Sequence, residues 1–135
     1  MKKFILLVLL FSGLGLKVEI MAQSEPVLYF CERYDKGEIG IKDWFPAGKI
    51  TVVVRCDHAL GLTEARLQFD KYDCNTGKFD YYKLFDYDVD PDMSYIFFSD
   101  TESNDLKIDD PGFYRVFLLD KDDNTVASSM IEIID

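Results

Sequence analysis

The chain has 135 residues, of which 48% are hydrophobic and 15% aromatic, enough for one packed core and too few for two domains. Its 25 acidic and 15 basic side chains give a formal net charge of −10 at pH 7. An acidic field of this sign repels phosphate backbones and anionic lipid, so nucleic acid and direct binding to a membrane surface are excluded as expected partners.

The first 22 residues have the three parts of a secretory signal peptide. Lys2 and Lys3 precede an apolar run of 13 residues, and a more polar stretch then leads to Ala22. The apolar run is too short to span a bilayer. We therefore predict that residues 1–22 are removed and that the mature domain, 23–135, is exported to the periplasm or the cell exterior without inserting into a membrane. Loss of three lysines and one glutamate leaves 12 basic and 24 acidic side chains, a net charge of −12.

Alternating apolar and polar residues, separated by turn signals, predict seven β-strands in the mature chain. In chain order the predicted strands cover 27–34, 49–56, 64–72, 78–89, 95–99, 113–119 and 126–134. The connections between them are predicted loops at 36–48, 57–63, 90–92 and 101–110 and tight turns at 73–77 and 121–124. Short, closely spaced strands with almost no helical periodicity predict an all-β fold, an antiparallel β-sandwich rather than a small barrel.

The same alternation predicts which side chains face the core. The clearest strand carries one set on each side: Ile50, Val52, Val54 and Cys56 against Thr51, Val53 and Arg55. This period of two is typical of a strand that is buried on one face only. Two further groups are expected to point inward: Ala65, Leu67 and Phe69 from the next strand, and Leu106 and Ile108 from the loop before the penultimate strand.

The strand predicted at 78–89 has aromatic residues on both sides. One side carries Phe79, Tyr81, Phe85, Tyr87 and Val89, and the other carries Asp80, Tyr82, Leu84, Asp86 and Asp88. If the first side packs inward, Tyr82 and the neighbouring Tyr72 lie outside. Exposed amphipathic rings of this kind favour protein partners or stack on sugars.

The stretch that enters the penultimate strand is Asp-Pro-Gly-Phe-Tyr-Arg-Val, and it resembles the tyrosine corner of immunoglobulin-like domains. The resemblance implies that Asp110 and Gly112 shape the turn and that the Tyr114 hydroxyl binds backbone just upstream. Val116 stands where antibody-type domains have a bridging cysteine, and Trp44 precedes the second strand instead of lying in the third. The resemblance is therefore to cysteine-free bacterial immunoglobulin-like domains, and it carries over a fold but no binding residues.

Three cysteines, Cys31, Cys56 and Cys74, remain after signal removal. Three interpretations stay open: buried small hydrophobic side chains, one intrachain disulfide with a free thiol left over, or an intermolecular disulfide. The spacing contains no C-x-x-C pair, which argues against a zinc site or a redox motif. His58 is expected on the same side as Cys56, but no oxyanion hole or third orienting group is identifiable, so no catalytic residue is predicted.

Two acidic clusters could offer oxygen ligands to calcium. They are Asp86, Asp88, Asp90 and Asp92, and Asp120, Asp122, Asp123 and Asn124. The first lies in an extended strand, where alternate carboxylates stand several ångströms apart, and it lacks the glycine and closing glutamate of an EF-hand. The second is explained by turn chemistry. We therefore predict a solvated strand face and a polar turn, with no metal and no cofactor.

No group of residues specifies a reaction, so the expected function is non-enzymatic. We predict an exported interaction module that binds a protein partner through its edge strands and a tyrosine-rich face bearing Tyr72 and Tyr82. The alternative is a carbohydrate-binding module in which the same tyrosines stack on a glycan beside neighbouring acids. A small hydrolase is a third possibility, which the single histidine disfavours.

Overall fold

The computed structural model describes residues 24–135, so the predicted signal peptide at 1–22 lies outside the described residues. Seven strands of four or more residues correspond to the seven predicted ones: β1 (Val27–Cys31), β6 (Thr51–Arg55), β7 (Glu64–Asp73), β8 (Lys78–Asp88), β9 (Tyr95–Phe98), β11 (Gly112–Leu119) and β12 (Thr125–Ile134). Five shorter ones are β2 (Arg33–Tyr34), β3 (Glu38–Ile39), β4 (Trp44–Pro46), β5 (Gly48–Lys49) and β10 (Lys107–Ile108). None of the described residues belongs to a helix long and apolar enough to cross a bilayer.

Two sheets form the body of the fold. The smaller has the order β1-β6-β9, and the larger has the order β4-β12-β11-β7-β8. Neighbouring strands are antiparallel throughout, except that β4 runs parallel to β12. The strands β2 and β3 form a small hairpin, and β5 pairs with β10. The predicted all-β antiparallel sandwich is confirmed.

The inner faces of the two sheets share one apolar core. The smaller sheet contributes Leu28, Phe30, Val52, Val54, Ile96 and Phe98. The larger sheet contributes Ala65, Leu67, Phe69, Phe85, Tyr114, Val116, Leu118, Ala127, Ile131 and Ile133. Leu106 and Ile108 close the core from the connection before β11, as their sequence positions predict. Removal of these apolar side chains from water is the main favourable term in the folding of the sandwich.

The loop predicted at 36–48 is wrong in part, because β3 and β4 lie within it, and β4 forms an edge of the larger sheet. Phe45 points into the core, while Trp44 and Pro46 are exposed. Three residues are too few to show a period of two, and the partner strand β12 lies at the other end of the chain. A proline lacks the amide donor that a second neighbour would need, so it is tolerated in an edge strand.

The strand β6 is buried on both faces, which corrects the prediction of a half-buried strand. Thr51 and Val53 are as buried as the core side chains on the opposite face. Their outer side is covered because the hairpin β2–β3 lies over the smaller sheet, where Tyr34 stacks on Phe97 with ring centroids 4.0 Å apart. Phe97 is the cross-strand neighbour of Val53. The hairpin therefore adds a partial third layer on this side of the sandwich.

A β-bulge in β8 reverses the faces of the strand. Lys83 pairs with Phe69 and Tyr81 pairs with Asp70, so Tyr82 is an extra residue without a partner in β7. Beyond the bulge Phe85 is buried, as predicted, but before it Tyr81 is exposed and Tyr82 packs on the core. One inserted residue shifts the period of two by one position and exchanges the two sides.

β8 is an edge strand of the larger sheet, paired with β7 on one side only. Its unpaired side is partly covered by the connection between β9 and β11. The side-chain amide of Asn104 donates to the carbonyl of Asp86 at 2.6 Å, and the ammonium of Lys83 lies 3.5 Å from the carbonyl of Lys107. The hydroxyl of Tyr87 donates to the carbonyl of Ser99 at 3.1 Å. These bonds are made by the second half of the strand.

The corner predicted at the start of β11 is present. The buried Tyr114 hydroxyl donates to the Asp110 carbonyl at 2.5 Å, and burial raises its pKa well above the usual value for tyrosine. The Asp110 carboxylate lies 2.6 Å from the Lys71 ammonium. Gly112 has a φ of +150°, and a Cβ there would lie 2.8 Å from the Lys71 side chain. Because side chains rarely adopt this φ, glycine is favoured at the turn, whereas the flexible end of Lys71 could move aside.

Replacement of Tyr114 by phenylalanine removes the corner hydroxyl and leaves the ring in place. We expect Tyr114→Phe to lower the free energy of unfolding by about 1 kcal/mol, because a buried hydrogen bond is lost and the Asp110 carbonyl loses its partner. Urea unfolding measures the change. The matched control is Tyr81→Phe at an exposed ring, where the change should stay within about 0.5 kcal/mol. Equal effects of the two substitutions would contradict the structural role of the corner.

Candidate functional site

The larger sheet has an outer face that no other element of the described residues covers. We use the term outer face for the side that points away from the core and bears Trp44, Tyr72, Tyr81, Leu84, Phe113 and Met130. Tyr81 is 65% exposed, Phe113 51%, Met130 48% and Trp44 46%. Large exposed apolar side chains grouped on one sheet are not explained by core packing.

The strand register brings these side chains together across all five strands. Glu132 of β12 pairs with Trp44 on one side and with Phe113 on the other. In the next row Arg115 pairs with both Met130 and Asp70. Side chains at paired positions on one face are close enough to contact, so the exposed rings and Met130 form a band in which Glu132, Arg115 and Asp70 stand between them.

An arginine lies within this band of aromatic rings. The Arg115 guanidinium lies 4.5 Å from the centroid of the Phe79 ring, and Phe79 contacts Tyr72 with ring centroids 5.3 Å apart. At the β4 edge the Lys42 ammonium lies 4.3 Å from the Trp44 ring. Cations over aromatic faces hold the rings in defined orientations and offer donors to an incoming ligand.

The structure places one of the two predicted tyrosines on this face and the other against the core. Tyr72 is exposed, as predicted. Tyr82 is partly buried instead of lying outside, because the bulge turns it inward, where its ring contacts Tyr114 edge-on at 5.2 Å. It still lines the groove beside the corner, so its role as a contact residue stays a prediction. Tyr81 takes the exposed position instead. The sequence contains the adjacent pair of tyrosines but no signal for which one is the extra residue.

A groove of about 620 Å³ adjoins the outer face at the end nearest the corner. Tyr72, Tyr81 and Phe113 line it together with the carboxylates of Asp73 and Asp80. Aromatic rings beside carboxylates suit ligands that have both an apolar face and hydroxyl groups. A smaller groove of about 210 Å³ lies between Trp44, Phe113 and Met130.

The outer side of the smaller sheet has a different arrangement, with a carboxylate held under the β2–β3 hairpin. The Tyr29 hydroxyl donates to the Glu38 carboxylate at 2.5 Å. Hydrogen bonds from Tyr29 and then Tyr95 lower the pKa of Glu38 to about 2, whereas burial and the Glu38 charge raise the pKa of Tyr29 to about 12. The Arg55 guanidinium lies 4.8 Å from the Tyr95 ring. This cluster fastens the hairpin to the sheet.

The cysteines are free thiols in three different environments. Cys31 is buried, fits the interpretation of a small core side chain, and donates weakly to the Arg33 carbonyl at 3.5 Å. Cys74 is exposed at the tip of the β7–β8 hairpin. Cys56 lies 3.2 Å from His58 Nδ1, so the prediction that these two side chains share a side is confirmed.

Asp57 joins Cys56 and His58, which the sequence analysis missed. Its carboxylate lies 2.7 Å from His58 Nδ1, and the hydrogen bond to His58 lowers the pKa of Asp57 to about 2. Strict alternation places the middle residue of three on the opposite side, so no sequence pattern indicates this contact. The chain bends at residues 57 and 58, directly after β6, and this bend places the Asp57 carboxylate on the same side as the His58 ring.

In the acidic turn after β11, an aspartate side chain accepts hydrogen bonds from backbone amides of the same turn, as predicted. The Asp120 carboxylate accepts the amides of Asp122 and Asn124, both at 2.9 Å, and these bonds lower its pKa. Asp123 has a positive φ of 64° and pairs with Arg66. The turn interpretation of this cluster is confirmed.

The carboxylates at the end of β8 are solvent-exposed. Asp90 accepts the amide of Asp92 at 2.9 Å, in the turn that leads to β9. Asp86 and Asp88 lie on the exposed side of β8. The interpretation of this cluster as a solvated strand face followed by a turn is therefore confirmed.

Strand order and the corner together decide the fold family. In immunoglobulin-like sandwiches strands A, B and E pair in one sheet, while C′ joins the G-F-C sheet in variable-type domains, and the corner tyrosine lies at the start of strand F. The orders β1-β6-β9 and β12-β11-β7-β8 correspond to these sheets, with Tyr114 at the start of β11. The chain is an immunoglobulin-like β-sandwich.

Comparison with known proteins finds distant structural neighbours of this immunoglobulin-like sandwich. No protein-family model matches the sequence, and no curated protein is significantly similar to it. Among solved structures, an immunoglobulin-like protein from Pseudomonas aeruginosa aligns with 84% of this chain and 99% of its own length, at 12% identity and a TM-score of 0.47. A likeness this distant carries no argument about function, so the assignment of the fold depends on the strand order and the corner.

The charge of Glu38 should make stability depend on acid pH. Its pKa is lowered from 4.5 to about 2 in the fold, so the stability that it contributes is present above about pH 4.5 and is lost as the pH falls towards 2. We expect the thermal midpoint of the wild type to exceed that of Glu38→Gln at neutral pH and the gap to close between these two values.

The control is Glu102→Gln, at an exposed carboxylate in the connection between β9 and β10. Its midpoint should follow that of the wild type at every pH. A gap between the wild type and Glu38→Gln that stays constant down to pH 2 would contradict the role of the carboxylate charge.

Proposed function

We propose that the protein is an exported, non-enzymatic interaction module that binds a protein partner in the periplasm or at the cell surface through the outer face of its larger sheet. The observation that supports this most directly is the band of exposed rings at Tyr72, Tyr81 and Phe113, continued by Trp44 and Met130. Export is supported by the signal-peptide pattern of residues 1–22.

The composition of the band is that of a protein interface. Tyrosine, tryptophan, phenylalanine, methionine and arginine are enriched where proteins meet, whereas lysine, glutamate and aspartate are depleted. The band holds the first four types around Arg115, with Glu132 between Trp44 and Phe113 and Asp70 between Arg115 and Tyr81. Tryptophan, tyrosine and arginine are also the residues enriched among binding hot spots.

The two sides of the sandwich differ in what covers them. The hairpin β2–β3 occupies the outer side of the smaller sheet, with Tyr34 over Phe97 and Glu38 bound by Tyr29. The larger sheet has no such layer among the described residues. Its exposed rings belong to regular strands, so little conformational freedom is lost when a partner binds them.

Removal of two exposed rings should weaken binding while the domain stays folded. We expect Tyr81→Ala combined with Phe113→Ala to lose at least 2 kcal/mol of binding free energy, roughly thirtyfold in affinity, if these rings form the hot spot. The measurement is co-purification from the native envelope, followed by titration of the recovered partner. Both side chains are more than half exposed, so the thermal midpoint should change little.

The matched control is Val27→Ala, an exposed apolar side chain on β1 of the smaller sheet. It should leave partner recovery unchanged. Loss of the partner from both variants would indicate a general effect of surface hydrophobicity, and retention by both would rule out the outer face as the contact surface.

A carbohydrate ligand is a second candidate, which the groove beside the corner favours. There the rings of Tyr72 and Tyr81 stand next to Asp73 and Asp80, so one wall stacks on a sugar ring and the other accepts its hydroxyls. A soluble-glycan array distinguishes the two candidates. Binding that is lost in Asp80→Asn and retained in Phe113→Ala would favour the glycan, and a blank array would remove it.

A further inference from the structure

The group formed by Cys56, Asp57 and His58 is unused by the proposed function. The thiol, carboxylate and imidazole donor atoms of these residues all lie within 4.8 Å of one another. Among residues 24–135, this is the group of three possible metal ligands that lies so close together. The distances are 3.2 Å from Cys56 Sγ to His58 Nδ1, 2.7 Å from His58 Nδ1 to Asp57 Oδ1 and 3.8 Å from Cys56 Sγ to Asp57 Oδ1.

These distances are close to the edges of a small coordination polyhedron. With metal–ligand bonds of about 2.0 to 2.3 Å, tetrahedral ligands lie about 3.3 to 3.6 Å apart. The two distances from Cys56 Sγ are within about 0.2 Å of that range, whereas the 2.7 Å between His58 Nδ1 and Asp57 Oδ1 is a hydrogen-bond distance that has to lengthen by about 0.6 Å. Cys56 Sγ also lies 3.6 Å from His58 Nε2, so the sulfur stands beside the imidazole ring and not on the lone-pair axis of Nδ1. These partly exposed side chains turn to bring the three donors onto one ion.

The backbone holds the group in place. The Cys56 amide donates to the Ser94 carbonyl at 2.8 Å, and the amides of Leu60 and Gly61 donate to the segment 91–93 at 2.9 and 3.0 Å. The His58 side chain is 37% exposed, so an ion reaches the donors from solvent. A backbone fixed at an accessible position reduces the ordering that metal binding would otherwise require.

We propose that Cys56, Asp57 and His58 bind a borderline transition-metal ion of the Zn²⁺ class. Thiolate, imidazole and carboxylate together are the ligands of such ions, whereas Ca²⁺ and Mg²⁺ take oxygen ligands alone. Three protein ligands leave a fourth position for water or for a side chain of a bound partner. The thiol proton of Cys56 is released to solvent when its sulfur binds the ion.

Isothermal titration of the purified protein with ZnCl₂, after EDTA treatment and dialysis, tests the proposal. We expect one zinc ion per chain, a loss of at least tenfold in affinity in Cys56→Ser and in His58→Gln, and no binding of CaCl₂. The matched control is Cys74→Ser, which removes an exposed thiol elsewhere and should leave zinc binding unchanged.

Cobalt substitution reports the ligands directly and does not depend on affinity. A near-ultraviolet sulfur-to-cobalt charge-transfer band should appear in the wild type and in Cys74→Ser and be absent from Cys56→Ser. Thermal unfolding checks that each variant is folded. Absence of the band from the wild type, its persistence in Cys56→Ser, or zinc affinity that Cys56→Ser leaves unchanged would overturn the proposal.

Discussion

A β-strand sends successive side chains to opposite faces, so each face of a sheet is either covered by another element or exposed to water. The two sheets of this protein meet that constraint differently. The smaller sheet is covered twice, by the core and by the hairpin β2–β3, which is why Val53 is as buried as Val52. The larger sheet is covered only by the core. Its second side carries the aromatic band, and the proposed function follows from that asymmetry.

The bulge at Tyr82 determines the chemistry of the uncovered side. Without the extra residue, Tyr82 would stand beside Asp70, and Tyr81 would face inward. With it, Tyr82 supports the corner tyrosine Tyr114 from within, and Tyr81 joins Phe113 and Tyr72 outside. One residue therefore contributes both to the packing around the corner and to the composition of the outer face.

The elements that the sequence predicts well are those whose cause is local. The inward set of β7, Ala65, Leu67 and Phe69, follows from alternation, and the contact of Tyr114 with the Asp110 carbonyl follows from a short motif. The misplaced features depend on distant parts of the chain. Burial of Val53 needs the β2–β3 hairpin, and the strand β4 needs β12 as its partner. The position of the bulge depends on how β8 aligns with β7, which Tyr81 and Tyr82 do not reveal by themselves.

The hydrogen bonds of Asn104 and Tyr87 join the edge strand β8 to the connection after β9, where a second copy of the chain could otherwise pair with β8. An edge strand of eleven residues offers unpaired backbone groups to any second copy, which is the usual route to sheet-to-sheet aggregation. In the second half of that edge Asn104 occupies the Asp86 carbonyl, and the Lys83 side chain reaches across to the Lys107 carbonyl, so the connection after β9 obstructs an incoming strand there. The first half is interrupted by the bulge and bears Lys78 and Asp80, so an added strand would lose its register within a few residues. The edge is thereby protected against indefinite stacking of copies, while the neighbouring aromatic band stays accessible.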